Sequence, residues 1–155
     1  MRRFNLADPE LESREDRPDG FRSRRLRLGP ALGAEQLGAT LYALDPGQAV
    51  CPYHYEHGEE EWLLVLDGTP TVRHPDGCDR LQPLDVVCFP RGPEGAHQVL
   101  NDGDEVIRVL MFSSIVFPTV TVYPDSDKVG VYTENEQDDL IVRRSSGVDY
   151  YEGEI

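Results

Sequence analysis

The chain lacks any apolar run near the roughly 20 residues that a membrane-spanning helix requires. It also lacks the apolar segment of an export signal. Arg2-Arg3 leads directly into Phe4-Asn5-Leu6-Ala7-Asp8-Pro9-Glu10, which is too polar for that role. Cysteine is scarce: Cys51, Cys78 and Cys88 are odd in number, irregularly spaced and never in a C-x-x-C pair. Neither a disulfide framework nor a zinc ribbon follows from that pattern. A phosphate-binding loop and a dinucleotide glycine fingerprint are both missing, and no segment carries a strong amphipathic helix pattern. These absences predict a cytoplasmic protein without a membrane partner, built mainly from strands.

Basic residues are outnumbered, 15 Lys and Arg against 29 Asp and Glu, for a formal net charge of −14. The imbalance is uneven. Met1–Leu28 holds eight Arg and six acids, net +2, and the remainder is net −16. An acidic body repels phosphate backbones, so nucleic acid is excluded as a partner. Most of the surplus carboxylates serve solubility.

At 155 residues the chain suits one domain with a real core. Residues 1–36 read as a polar N-terminal arm, either disordered or draped on a partner, with a first strand in Arg22–Leu28. Leu37–Leu44 predicts a strand, closed by the turn Asp45-Pro46-Gly47-Gln48. Trp62–Leu66, Val86–Phe89, Gln98–Leu100 and Val106–Phe112 are further strand segments bounded by Gly, Pro and Asp turns. Thr69–Arg73 and Arg80–Leu81 flank His74-Pro75-Asp76-Gly77 as a hairpin. Short strands at regular spacing predict an all-β sandwich or barrel with its core at about 37–114. Residues 115–155 predict an extension that wraps the core or a partner subunit.

Two segments carry chemistry. One runs His54-Tyr55-Glu56-His57-Gly58-Glu59-Glu60-Glu61-Trp62, and the other ends in Gly95-Ala96-His97. Residues two apart on a strand share a face, so His54 and Glu56 project together. Glu61 meets them from the next strand with Glu60 pointing outward, and His97 supplies a fourth donor after its own turn. Imidazole nitrogen and carboxylate oxygen are donors that first-row divalent metals accept. By themselves these four residues fit either a metal site or a polar mouth without metal. His57 faces away by alternation, unless a bulge rotates it inward as a further ligand, and His74 sits in an exposed turn.

The spacing resembles the two-part motif of the cupin superfamily. The first part, G-x5-H-x-H-x(3,4)-E-x6-G, is met by Gly47, His54, Glu61 and Gly68, with Glu56 in place of the second His and the first gap one residue longer. The second part, G-x5-P-x-G-x2-H-x3-N, is met by Pro90, Gly92, His97 and Asn101, with Leu84 in place of the opening Gly and a longer gap before His97. The resemblance covers about Leu37 to Ser114. The arm and tail look like those of small single-domain bacterial cupins. Losing Gly at 84 removes a residue tolerant of positive φ, so that turn must differ or carry strain.

The resemblance implies a double-stranded β-helix (jelly-roll) barrel, often a homodimer, with a divalent metal held by His54, Glu56, Glu61 and His97. Leu63, Val65, Val99 and Phe112 would form the apolar wall of a pocket for a small molecule. Glu56 adds negative charge and an oxygen donor, which favours Fe²⁺ or Mn²⁺, with Zn²⁺ or Ni²⁺ as alternatives; Glu56 is also placed to act as a base. Two readings follow: a metal-dependent enzyme on a small organic molecule, preferably dioxygenase-like, or a non-catalytic ligand-binding module. Isomerases and decarboxylases use similar barrels. The Tyr53/Tyr55 pair, expected on the outer strand face, adds to the expectation of a homodimer.

Overall fold

The computed structural model describes residues 1–154. Its longest pairing joins β3 (Leu37–Leu44) to β10 (Ile107–Ser114), antiparallel along their whole length. On the other side of β10 lies β5 (Glu61–Asp67), with a register shift between Arg108 and Val109. The sheet is completed by β1 (Glu12–Ser13) and β2 (Arg24–Arg27) on one side and β8 (Val86–Phe89) on the other, in the order β1-β2-β3-β10-β5-β8. A second sheet orders β13 (Leu140–Arg143), β12 (Lys128–Tyr132), β11 (Thr119–Tyr123) and β4 (Tyr55–Glu56). A third orders β7 (Gly77–Arg80), β6 (Thr71–His74) and β9 (Gln98–Leu100). The pairings are antiparallel, and the class is the expected jelly roll, with one short α-helix, α1 (Leu28–Leu32), among the described residues.

The period of two along β5 divides the apolar residues. Leu63 and Val65 are fully buried with Leu44, Val72, Phe89, Val99, Ile107, Val109 and Met111 in the interior cluster. Leu64 and Leu66 face the other way and join Leu28, Leu41 and Leu110 in an outer cluster. Each such side chain removed from water contributes about 1.5–3 kcal/mol before the entropy of ordering it. Leu63, Val65 and Val99 are therefore ordinary core rather than pocket wall. Gly68 ends β5 at φ 75°, where a Cβ would sit 2.7 Å from Ile107 Cγ2.

Three expectations are corrected. The N-terminal arm is ordered on the chain's own sheet, because Leu6, Leu11, Leu26 and Leu32 pack on the outer cluster and the Arg108 guanidinium donates to the Leu6 carbonyl. The C-terminal third does more than wrap the core: β11 pairs with β4, placing Thr121 opposite Glu56. Tyr53 is buried rather than outward, with the Arg73 guanidinium 4.0 Å from its ring centroid and Arg73 clamped by Asp125. The cysteines are free. Leu84 keeps a left-handed backbone, φ 74°, so the motif's turn geometry survives with a residue that strains it.

Candidate metal centre

His54 and His97 come from segments far apart in sequence and are joined by a reciprocal backbone bridge. The His54 N–H donates to the His97 carbonyl at 3.1 Å, and the His97 N–H donates to the His54 carbonyl at 2.8 Å. His97 follows a short helical turn, Pro93–Gly95. Any Cβ at Gly95 would lie 1.7 Å from the Pro90 carbonyl oxygen, so this tight turn needs glycine. The Phe89 ring stacks on His97 at 3.7 Å between centroids and 7° between planes, which fixes the imidazole. Glu61 opens β5, opposite Phe89 of β8 and Ser113 of β10.

The three side chains converge. Glu61 Oε2 lies 3.2 Å from His97 Nε2 and 3.6 Å from His54 Nε2. One donor atom from each residue falls within 4.8 Å of the others. His54 Nδ1 is 3.0 Å from the Pro52 carbonyl, and His97 Nδ1 is 2.9 Å from the Gly95 carbonyl. A carbonyl only accepts, so each Nδ1 carries the hydrogen and each Nε2 of a neutral ring presents a lone pair to the centre. Backbone partners of this kind orient metal-binding imidazoles. Glu61 Oε2 and His97 Nε2 are buried without a hydrogen-bond partner, an arrangement that a shared cation would satisfy.

Glu56 is not one of these three converging donors. Its Oε1 accepts from Thr121 Oγ1 at 3.3 Å, and its Oε2 is buried without a partner. Without metal, burial and the charges of Glu61 and Glu59 push its carboxyl up to about 8. Burial alone would lower the His54 imidazole, but Cys51 and Glu61 outweigh it and raise it to about 11. Burial opposes ionisation of Glu61 too, yet the two imidazoles hold it down at about 2. The metal-free centre thus stores a proton on His54 against an ionised Glu61.

His57 is exposed and meets Tyr55 edge-on, with its rings 5.3 Å apart. Glu60 points outward, as expected, and accepts from Trp62 Nε1 at 2.8 Å. His74 is half-buried in the hairpin, 3.3 Å from Asp79, rather than simply exposed. Asn101 is a structural clamp: its amide donates to the Leu44 and Glu105 carbonyls at 2.9 and 2.8 Å. Phe112 borders the cavity at the centre, but its ladder partners Trp62 and Ala39 put its side chain on the outer face of the sheet rather than in a pocket wall.

That cavity, about 230 Å³, is also lined by Thr40, Tyr42, Cys51 and Met111. Tyr42 and Cys51 were not singled out from sequence, nor were Thr121 and Tyr123. The alternation of Thr40 and Tyr42 along β3 was an available signal, since inward positions of a jelly roll are normally apolar. Nothing in the sequence marked Thr121 or Tyr123, because their placement depends on β11 pairing with β4.

Residues 40–113 match the cupin domain family. Among solved structures, a candidate sugar phosphate isomerase from Acidithiobacillus ferrooxidans is 26% identical, with a TM-score of 0.79, over 93% of this chain and 90% of that one. A sugar phosphate isomerase of a cupin superfamily from Silicibacter pomeroyi is 25% identical, with a TM-score of 0.76, over 86% and 83% of the two chains. The polyketide cyclase RemF from Streptomyces resistomycificus, 22% identical with a TM-score of 0.60 over 77% and 83%, shares the fold. No curated protein matches the chain.

Proposed function

The chain belongs to the cupin superfamily, and on that premise we propose that it is a metal-dependent enzyme acting on a small organic molecule, of isomerase class. The observation that carries this reading is the triad His54, Glu61 and His97, with both Nδ1 atoms committed to carbonyls and both Nε2 atoms turned to one carboxylate oxygen. Glu56 is the proposed fourth donor, supported by its buried Oε2 without a partner. Two imidazoles with carboxylate oxygens suit Fe²⁺ or Mn²⁺. A metal bound there would polarise a substrate oxygen as a Lewis acid. The surrounding residues would hold the substrate: Tyr42 and Thr40 offer hydroxyl groups, while Met111, the ladder partner of Thr40, excludes water beside them.

The isomerase class is favoured by two solved relatives, 26% and 25% identical, which share most of their length with this chain. Dioxygenase chemistry remains the second reading on one observation. Two His and one carboxylate with open positions is the donor set of non-haem iron oxygenases. A non-catalytic ligand-binding module is the third. Elemental analysis of protein purified without chelator, followed by a substrate screen under air and under argon, separates them. Turnover in both atmospheres supports the isomerase, turnover only in air the dioxygenase, and tight binding without turnover the module.

Among the described residues no helix is long and apolar enough to cross a membrane. A cytoplasmic setting agrees with three free cysteines. A homodimer is supported by the outer face of β10, β5 and β8, where Phe112, Trp62 and Cys88 are cross-strand neighbours and Val86 lies beside them, all exposed.

A further inference from the structure

The Arg-rich arm has no role in the metal centre, yet it lines a second cavity beside it. On β2, Arg25 is the cross-strand partner of Tyr42, and partners across a ladder share a face. Tyr42 packs against the interior cluster, so Arg25 is an arginine on the interior side of the sheet. The cavity there measures about 560 Å³ and is lined by Arg14, Arg17, Arg25 and Lys128, with no carboxylate in its wall. Tyr42 and Cys51 line both this cavity and the one at the metal centre. Cys51 Sγ is 3.5 Å from His54 Nδ1, and the Tyr123 ring of the second cavity stacks on His54 at 6.0 Å.

The four cations are only partly neutralised. Asp16 holds Arg14 at 3.0 Å and lies 3.7 Å from Arg17. Glu12 stands 3.6 Å from Arg25 Nε, too far for a hydrogen bond, and that nitrogen is buried without a partner. Lys128 has no ion pair among the described residues; its Nζ sits 5.3 Å from the Tyr123 ring centroid. Two carboxylates therefore face four cations, in a chain whose net charge is −14. Such a chain repels anions at long range, so a local excess of two positive charges in a concave site is the place where a dianion gains most. Guanidinium forks match the oxygen geometry of a phosphate group.

We propose that this cavity binds the phosphate group of a phosphate monoester substrate, held by Arg25 and Lys128 with Arg14 and Arg17 of the arm at its rim. The remainder of the molecule extends past Cys51 to the triad. The placement of the reacting end rests on the proposed enzymatic function; the anion site itself does not require metal.

The test uses inorganic phosphate as probe and the full chain, both metal-loaded and metal-free, with binding read by phosphorus NMR and calorimetry. Wild-type protein should show saturable binding in both forms. Arg25→Gln and Lys128→Gln should each weaken it by about tenfold, the loss of one charge-assisted contact. Arg25→Lys should recover part of the loss. Lys128 is partly exposed, so its variant reports even if Arg25→Gln folds poorly. His97→Ala, which disarms the metal centre, should leave phosphate affinity unchanged. The proposal is overturned by absent saturable binding, by unchanged affinity in Lys128→Gln and Arg25→Gln, or by affinity that vanishes with the metal. In the last case the phosphate sits on the metal instead. Native protein that carries no metal as purified and takes none up, yet binds phosphate through Arg25, would sink the enzymatic reading and leave this one standing.

Discussion

His54 and His97 face each other across a two-way backbone bridge, with ring centroids 4.7 Å apart. The bridge is made by main-chain groups, so it persists whether or not the rings bind anything. It fixes the spacing of the two imidazoles before metal arrives, and Glu61 from β5 closes the third side. The site is preorganised by the sheet, and its ligands need no loop rearrangement to converge.

His97→Ala should therefore remove the metal without unfolding the chain. The bridge uses His97 N–H and C=O, which alanine retains. Metal content should fall from about one per chain to near zero, since the donor set loses one of its two imidazoles. The β circular-dichroism spectrum should stay as in wild type. Full metal occupancy in this variant would exclude His97 as a ligand.

Glu56→Gln should act in opposite directions on the metal and on the metal-free fold. A carboxyl whose value is raised from 4.5 to about 8 in the fold costs stability that grows as pH rises above 4.5 and levels off above 8. Removing it should stabilise metal-free protein at pH 9 by on the order of 5 kcal/mol, and leave stability at pH 4 nearly unchanged. Metal affinity should fall in the same variant. Denaturant titrations at the two pH values, with and without chelator, measure both effects. A variant that binds metal as tightly as wild type would remove Glu56 from the ligand set.

Metal affinity should climb with pH across neutrality. In the metal-free centre His54 holds its proton up to about 11 and Glu56 up to about 8. Ligation must expel both, so below pH 8 the affinity should gain about two decades per pH unit, falling to about one between 8 and 11. Calorimetry in two buffers of different ionisation heat counts the protons directly. A proton count of zero at pH 7 would mean that neither residue is a ligand.

The strands were legible in the sequence wherever alternation and turn residues agreed. Leu37–Leu44 and Val86–Phe89 lie where the pattern put them, and Glu61 and His97 meet as their spacing implied. The docking of the arm is not legible in sequence, because Leu6, Leu11, Leu26 and Leu32 together follow no regular period. Their burial depends on an outer sheet face that only the folded pairing of β3, β10 and β5 creates. For the same reason Thr121 and Tyr123 could not be assigned to the site: β11 reaches β4 by a long-range pairing with no local signal. Tyr53 was placed on the wrong face because it precedes β4, where no strand alternation governs its direction.

The chain should be a homodimer at micromolar concentration. Trp62 is 44% exposed and Val86 57% exposed on a sheet face that the arm leaves uncovered. Large exposed aromatic and aliphatic neighbours mark interaction surfaces. Sedimentation equilibrium should give twice the chain mass of 17.5 kDa, and Trp62→Glu with Val86→Arg should give the single mass. A wild-type monomer at high micromolar concentration would refute the dimer.

Leu84→Gly should stabilise the protein. Leu84 is 77% exposed at φ 74°, so its side chain gains little from burial while its backbone sits where a Cβ is crowded. The conformation is held from both sides: the Leu84 N–H donates to the Val65 carbonyl at 2.8 Å, and the Val65 N–H donates to the Asp85 carbonyl at 3.0 Å. Strain of this kind costs about 1–3 kcal/mol. Glycine removes it but adds about 0.4–1 kcal/mol of freedom to the unfolded chain. The net gain should be on the order of 1 kcal/mol, read as a higher denaturant midpoint at unchanged slope. Leu84→Ala is the control, because it shortens the same exposed side chain and keeps the Cβ. If alanine stabilises as much as glycine, the gain comes from removing an exposed leucine, and strain at the turn is not its cause.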